Sequence, residues 1–277
     1  MTRPTLAFER RGRGEPLLLL HGIGSTRDDF ATLGPRLARD FDVLALDLPG
    51  HGGSPPLAGT PTVAAIADAI EDDLDAHDIR KIHILGNSLG GRLAIELARR
   101  GRALSVVAIA PSGLALPPER LMQGSLMATA RVQMRLLRPL LGPLAATRLG
   151  RTALLAGLRA RPWRATEAEA LSLRGGFADA TGFWSMLWWA VLRDVPTGLD
   201  AIRCPVVLAQ GNVDVISSGQ TMRYLPLIDR ARFRPLLGAG HAPQSDVPSA
   251  IVDLVHEAAA AARPASPPVG PVFQMVS

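Results

Sequence analysis

Ile82-His83-Ile84-Leu85-Gly86-Asn87-Ser88-Leu89-Gly90-Gly91 is the stretch that decides the fold. An apolar segment rich in β-branched residues runs into Gly-x-Ser-x-Gly, and a helix-compatible run over 92–100 follows at once. That is the pattern of a strand-to-helix elbow, with Ser88 on the tight turn and its hydroxyl projecting above the sheet. Gly86 and Gly90 flank the serine where any larger side chain would collide as helix meets strand. Such a turn strains the serine backbone, and the strain persists only where surrounding structure enforces it.

A serine hydroxyl is a poor nucleophile at neutral pH, so the elbow needs a base and an orienting carboxylate. Pro205-Val206-Val207-Leu208-Ala209-Gln210 reads as a short buried strand, and Gly211-Asn212-Val213-Asp214 leaves its C-terminal end. One strand further on, Gly238-Ala239-Gly240-His241-Ala242-Pro243 places a histidine in a loop. An aspartate after a strand and a loop histidine are each commonplace. Together, each at a strand exit, they make a triad with Ser88 the better reading, with Asp194 as reserve acid. His77 and His83 precede the serine, on a helix surface and a strand, and His256 falls in the final helical run. An oxyanion hole is the third requirement. The apolar run 17–20 ends in His21-Gly22-Ile23-Gly24, whose glycines permit close approach of backbone N–H groups. The donors expected are the amides of Ile23 and Leu89, the latter opening a helix whose positive end favours negative charge. His21 is read as a structural residue joining neighbouring loops.

With these residues in hand, the chain resembles the α/β-hydrolase family. The motifs that carry the resemblance are His21-Gly22-Ile23-Gly24, Asp47-Leu48-Pro49-Gly50-His51-Gly52-Gly53-Ser54, Gly86-Asn87-Ser88-Leu89-Gly90-Gly91, Gly211-Asn212-Val213-Asp214 and Gly240-His241, in that order. It spans about residues 5–260 and implies a Ser88, Asp214, His241 triad with oxyanion amides from Ile23 and Leu89. The second motif looks like the family's structural loop after the next strand. One departure is that the acid loop reads Val215-Ile216-Ser217-Ser218, without the proline that many relatives carry there.

The chain has 277 residues, within reach of one large α/β domain, and 47% of them are apolar, enough for a sizeable core. No apolar run approaches the roughly 20 residues that cross a bilayer. The first 13 residues carry arginines without an apolar leader core, so a cytoplasmic protein is expected. A lone Cys204 rules out an internal disulfide and reads as a buried small residue. No acidic or histidine cluster points to a metal, and Gly50-His51-Gly52-Gly53 lacks the Lys and Ser/Thr of a phosphate loop. Neither cofactor nor metal is expected, and no nucleic-acid reading motif accompanies the charge.

Strands are expected near 6–10, 17–20, 43–47, 81–85, 104–110, 206–210 and 231–236, and helices over 27–39, 63–76, 89–100, 219–227 and 249–262. Such alternation gives an α/β fold with a mostly parallel, doubly wound sheet. Ligands of such sheets bind at the C-terminal strand ends, where all the proposed catalytic residues fall. The core is expected over 1–110 and 197–262. A helical cap over 111–196 is inserted after the strand ending at Ala110, counted as the sixth, and 263–277, rich in proline and small residues, is expected to be a disordered tail.

In the cap, Leu121, Met122, Leu126, Met127, Met134, Leu137 and Leu141 recur at helical spacing. All four tryptophans, Trp163, Trp184, Trp188 and Trp189, lie there. One is expected to face the pocket while the others pack the cap, giving an aromatic and Met-rich wall suited to an apolar acyl or aryl group. The cap holds eleven arginines against five acids, a net of +6, while the whole chain is +5. A solvated face explains this most simply; attraction of anionic substrates or acidic membrane surfaces is the second reading. The leading functional expectation is a cofactor-free serine hydrolase of a small apolar ester. Two alternatives stand beside it: carbon–carbon hydrolysis of a vinylogous diketone, as in meta-cleavage-product hydrolases, and a ligand-binding receptor on the same fold. Oligomeric state is not legible.

Overall fold

Four consecutive leucines suit a strand buried on both faces, and Leu17, Leu18, Leu19 and Leu20 are each at most 1% exposed. Successive strand side chains point to opposite faces. Leu18 and Leu20 accordingly enter one apolar core and Leu17 and Leu19 the other. The computed structural model describes residues 5–217 and 219–263 and forms seven strands. They are β1 (Phe8–Gly12), β2 (Glu15–Leu20), β3 (Phe41–Leu46), β4 (Ile82–Asn87), β5 (Ala103–Ile109), β6 (Val206–Gly211) and β7 (Ala231–Leu236). All seven lie within a few residues of their expected places. The sheet order is β1-β3-β2-β4-β5-β6-β7. β1 runs antiparallel to β3, and the remaining pairs are parallel.

The α-helices among the described residues are α1 (Gly34–Leu37), α2 (Val63–Ala76), α3 (Leu89–Arg99), α4 (Pro117–Leu136), α5 (Leu141–Ala146), α6 (Arg148–Leu154), α7 (Glu167–Leu173), α8 (Phe183–Met186), α9 (Gln220–Arg223) and α10 (Pro248–Ala262). Helices α2 and α3 cover the face carrying Leu18 and Leu20, and α1 and α10 cover the other. The single helix expected over 27–39 is instead a 3-10 turn, Arg27–Phe30, followed by α1. Pro35 lacks an N–H and fits only a first turn, so a helix can start there but not run through. Pro226 splits 219–227 in the same way, into α9 and the turn Leu225–Leu227.

Between β5 and β6 the named elements are all helical, α4 to α8 with wider π turns at Arg174–Ala178 and Leu187–Val191. This insertion follows the fifth strand, not the sixth, because no further strand forms ahead of β1 among the described residues. It grips the core through polar ties. Arg159 pairs with Asp29, Arg92 with Asp194 at 2.6 Å, and the amides of Ala160 and Arg161 donate to Asp246 at 2.8 and 2.7 Å. No helix among the described residues is long and apolar enough to cross a membrane. The expected tail lies outside the described residues, apart from Arg263.

Candidate active site

β4 ends at Asn87 and α3 begins at Leu89, so Ser88 makes the turn alone. Its backbone sits at φ +56°, ψ −117°, a conformation that side-chain-bearing residues rarely adopt. The surroundings enforce it. Ser88 N–H donates to Ile109 O at 2.8 Å, and Ser88 O accepts from Arg92 N at 3.0 Å and Ser112 N at 3.2 Å. The glycines act as their spacing implied: a Cβ on Gly86 would meet Gly90 O at 2.2 Å, and one on Gly90 would meet Leu20 O at 2.0 Å. A Cβ on Gly22 would lie 3.0 Å from Ser88 Cβ, so the loop after β2 runs directly against the serine.

His241 is 8% exposed, and its Nδ1 lies 3.2 and 3.1 Å from the two Asp214 oxygens. Asp214 Oδ1 also accepts from the amides of Ile216 at 2.8 Å and Ser217 at 3.1 Å. Burial works against the Asp214 charge. The His241 imidazole and the Ser217 donors outweigh it and hold the carboxyl well below the usual carboxylate range. The non-proline acid loop therefore has a use, since a proline at 216 or 217 would remove one of these amides. Ser217 Oγ lies 3.0 Å from His241 Nδ1, a second partner that the sequence reading missed. With Nδ1–H directed at Asp214, Nε2 is left as the basic nitrogen. Asn87 Nδ2 donates to His241 O at 2.9 Å, tying the residue before the serine to the histidine loop.

Ser88 and His241 line one cavity. No hydrogen bond joins Ser88 Oγ to His241 among the described residues; such bonds often tighten only once substrate is bound. Ile23 lines the cavity too, and its amide donates to no group among the described residues. The Leu89 amide opens α3 and so has no partner within the helix.

The helical insertion closes the cavity with Met127, Leu155, Leu158, Leu173, Phe177 and Val191. None of the four tryptophans lines it, and they are 39–51% exposed, so they neither face this cavity nor fill the insertion's interior. Periodicity tells which residues share a helix face but not which face turns inward. Phe177 is the inner aromatic: its ring rests on Gly24, where a Cβ would come within 2.1 Å of it. Polar side chains belong to the wall as well, Asp29, Gln123, Arg159 and Gln220 among them. Arg159 is fully buried, pairs with Asp29, and lies 3.7 Å from Glu169. Burial pushes the Asp29 carboxyl up to about 6, only partly opposed by Arg159 and reinforced by Glu169. Gln244 Nε2 donates to Asp29 Oδ2 at 2.9 Å and to Asn87 Oδ1 at 3.4 Å, so this cluster reaches the elbow.

The remaining histidines are engaged elsewhere. His21 Nδ1–H donates to Gly22 O at 2.8 Å while Nε2 accepts from Leu48 N at 2.9 Å, pinning two loops together. His83 meets Ser105 Oγ at 2.8 Å, and His256 lies 3.4 Å from Asp40. Asp47 accepts from Arg27 N at 2.7 Å and Gly53 N at 2.9 Å, a structural loop as expected. Asp194 is paired with Arg92, away from His241. Among the described residues, no group of three or more His, Cys, Asp or Glu is placed to hold a metal ion.

An elbow serine, a carboxylate-held histidine after a later strand and a helical insertion over a mostly parallel sheet define an α/β hydrolase. The chain belongs to the alpha/beta hydrolase family, whose pattern it matches over residues 17–254. It is similar to the dihydrolipoyllysine-residue acetyltransferase component of the acetoin cleaving system of Cupriavidus necator, 41% identical over 110 residues, which cover 38% of this chain and 29% of that protein. It is also similar to the pimeloyl-[acyl-carrier protein] methyl ester esterase of Neisseria meningitidis serogroup B, 45% identical over 82 residues, 30% of each chain. The match thus spans less than a third of the length of either relative. Among solved structures, a thermophilic esterase from Thermogutta terrifontis aligns with a TM-score of 0.69 and 25% identity over 91% of this chain and 92% of that one. A meta-cleavage product hydrolase from Pseudomonas fluorescens IP01 shares the fold, with a TM-score of 0.68 and 22% identity over 91% and 93%.

Proposed function

We propose that this chain is a serine hydrolase that cleaves a small, fairly apolar carboxylic ester through Ser88, His241 and Asp214. One observation carries the reading: Ser88 sits at positive φ on the elbow and shares a cavity with a histidine whose Nδ1 is held by a carboxylate. His241 Nε2 takes the Ser88 proton as Oγ attacks the ester carbonyl. The oxyanion is received by the Ile23 and Leu89 amides, each such donor contributing roughly 3–4 kcal/mol to the transition state. Collapse of the tetrahedral adduct expels the alcohol, which takes the proton from His241, and leaves an acyl-enzyme. Water, deprotonated by the same imidazole, then releases the acid and restores Ser88. Asp214 keeps the tautomer and stabilises the imidazolium. In this reading the insertion acts as a cap, with Met127, Leu158 and Phe177 against the acyl group.

The esterases among the relatives and structural neighbours support ester chemistry. A series of p-nitrophenyl esters of increasing acyl length tests the proposal. Turnover by the wild type, lost in a folded Ser88→Ala variant, is expected. A folded wild-type protein that turns over none of them would overturn the ester reading.

A further inference from the structure

Residues 120–166 contain nine arginines and no Asp or Glu; Arg131 and Arg159 are buried, and Arg138 pairs with Asp179. Within this stretch the outer face of α4 exposes Leu121, Met122, Leu126, Val132 and Leu136, with the exposed, uncharged Ser125 and Thr129 between them. A solvated helix normally turns charged residues outward, and this one turns leucines. Trp184 and Trp188 stand beside that stripe and line one shallow groove with Leu121 and Ser125. Trp189 is exposed as well, and the Arg193 guanidinium lies 4.6 Å from the Trp188 ring centre and 5.7 Å from that of Trp189. Arg135, Arg148 and Arg193 form no ion pair among the described residues.

Charge selects among the surfaces that could cover this face. A second copy would set the unpaired Arg135 and Arg193 of one face near those of another and meet repulsion. An acidic soluble protein would answer the arginines but leave exposed tryptophans and leucines without a use. An anionic lipid surface answers both: aromatic rings and aliphatic chains enter the headgroup boundary while arginines meet lipid phosphates. We propose that the outer face of α4, together with Trp184, Trp188 and Trp189, docks on an anionic phospholipid membrane. Ser125 and Leu126 also edge a second, open pocket, which shares Met127, Leu158 and Phe177 with the cavity of Ser88. Docking would set that opening beside the acyl chains.

Co-sedimentation of the full chain tests this, using vesicles of phosphatidylcholine alone and of phosphatidylcholine mixed equally with phosphatidylglycerol. Binding to the mixed vesicles only, weakened by added salt, is expected. Arg135→Gln and Arg193→Gln should each lower the partition about fivefold. Trp188→Ser and Leu121→Gln should lower it as well, while circular dichroism and turnover of a short water-soluble ester stay unchanged in all four. Equal binding to both vesicles, binding to neither, or variants that bind as the wild type does would overturn the proposal. So would a dimer in light scattering that Trp188→Ser dissolves, which would assign the face to a second copy. Binding to an acidic carrier protein without binding to vesicles would also refute it.

Discussion

Asp214→Asn separates an orienting carboxylate from a carboxylate that merely fills space. In the wild type, Oδ1 accepts from the Ile216 and Ser217 amides at 2.8 and 3.1 Å, while His241 Nδ1 lies 3.1 Å from Oδ2. Asparagine has one carbonyl oxygen, and two backbone donors compete for it at the Oδ1 position. Its amide nitrogen then falls at the Oδ2 position and presents hydrogens to Nδ1, which must accept. The histidine proton moves to Nε2, where no proton can be taken from Ser88. A wrong tautomer costs on the order of 10⁴ in turnover in serine triads, about 5.5 kcal/mol of barrier. Ser217 Oγ, 3.0 Å from Nδ1, can still accept an Nδ1 proton and should keep part of the population in the working tautomer. Asp214→Asn alone is therefore expected to lose somewhat less than 10⁴, and Asp214→Asn with Ser217→Ala the full amount. The assay is kcat/KM on a p-nitrophenyl ester, with melting temperature as the control for folding. Near-normal turnover in Asp214→Asn, with loss in Asp194→Asn, would refute this reasoning.

Other expectations follow from the cavity wall and its buried charges. Trp188→Ala and Trp189→Ala, at exposed positions, should each cost less than the roughly 3–5 kcal/mol of a fully buried tryptophan, and leave acyl preference flat. Met127→Ala should move preference toward longer acyl groups, and Phe177→Ala should do so at a stability cost of about 3–5 kcal/mol. Specificity constants over an ester series, read beside melting temperatures, distinguish these outcomes; a tryptophan variant that shifts preference would place the wall elsewhere. Asp29 has its folded carboxyl raised from 3.8 to about 6, so between those values the native state holds a proton that the unfolded chain has released. Stability should therefore fall as pH rises from about 4 to 6, by up to about 3 kcal/mol from this group. Denaturant titrations across that range check it, and an identical slope in Asp29→Asn would remove Asp29 as the cause.

The central strands were legible because each is a short apolar run closed by a turn, and the elbow because glycines bracket Ser88 for a steric reason visible in the sequence. The continuous apolar runs 17–20 and 206–209 depend only on local burial, so their places needed no knowledge of partners. The helical breaks at Pro35 and Pro226 were equally local and could have been read. What could not be read depends on contacts far apart in the chain. Arg159 meets Asp29 across 130 residues, and nothing near either residue announces the other. The tryptophans were misplaced for a related reason. A run such as Trp184 to Trp189 is apolar enough to pack inward, and only the docking of α4 through Gln123, Met127 and Arg131 decides which side becomes the outside. Ser217 escaped notice because its use depends on where the acid loop brings it relative to His241.

Intact-protein mass spectrometry after treatment with a fluorophosphonate tests the nucleophile most directly. One adduct per chain on the wild type, mapped to Ser88 and absent from Ser88→Ala, is the expected result. Equal labelling of the two proteins would contradict the assignment of Ser88 and, with it, the proposed hydrolysis.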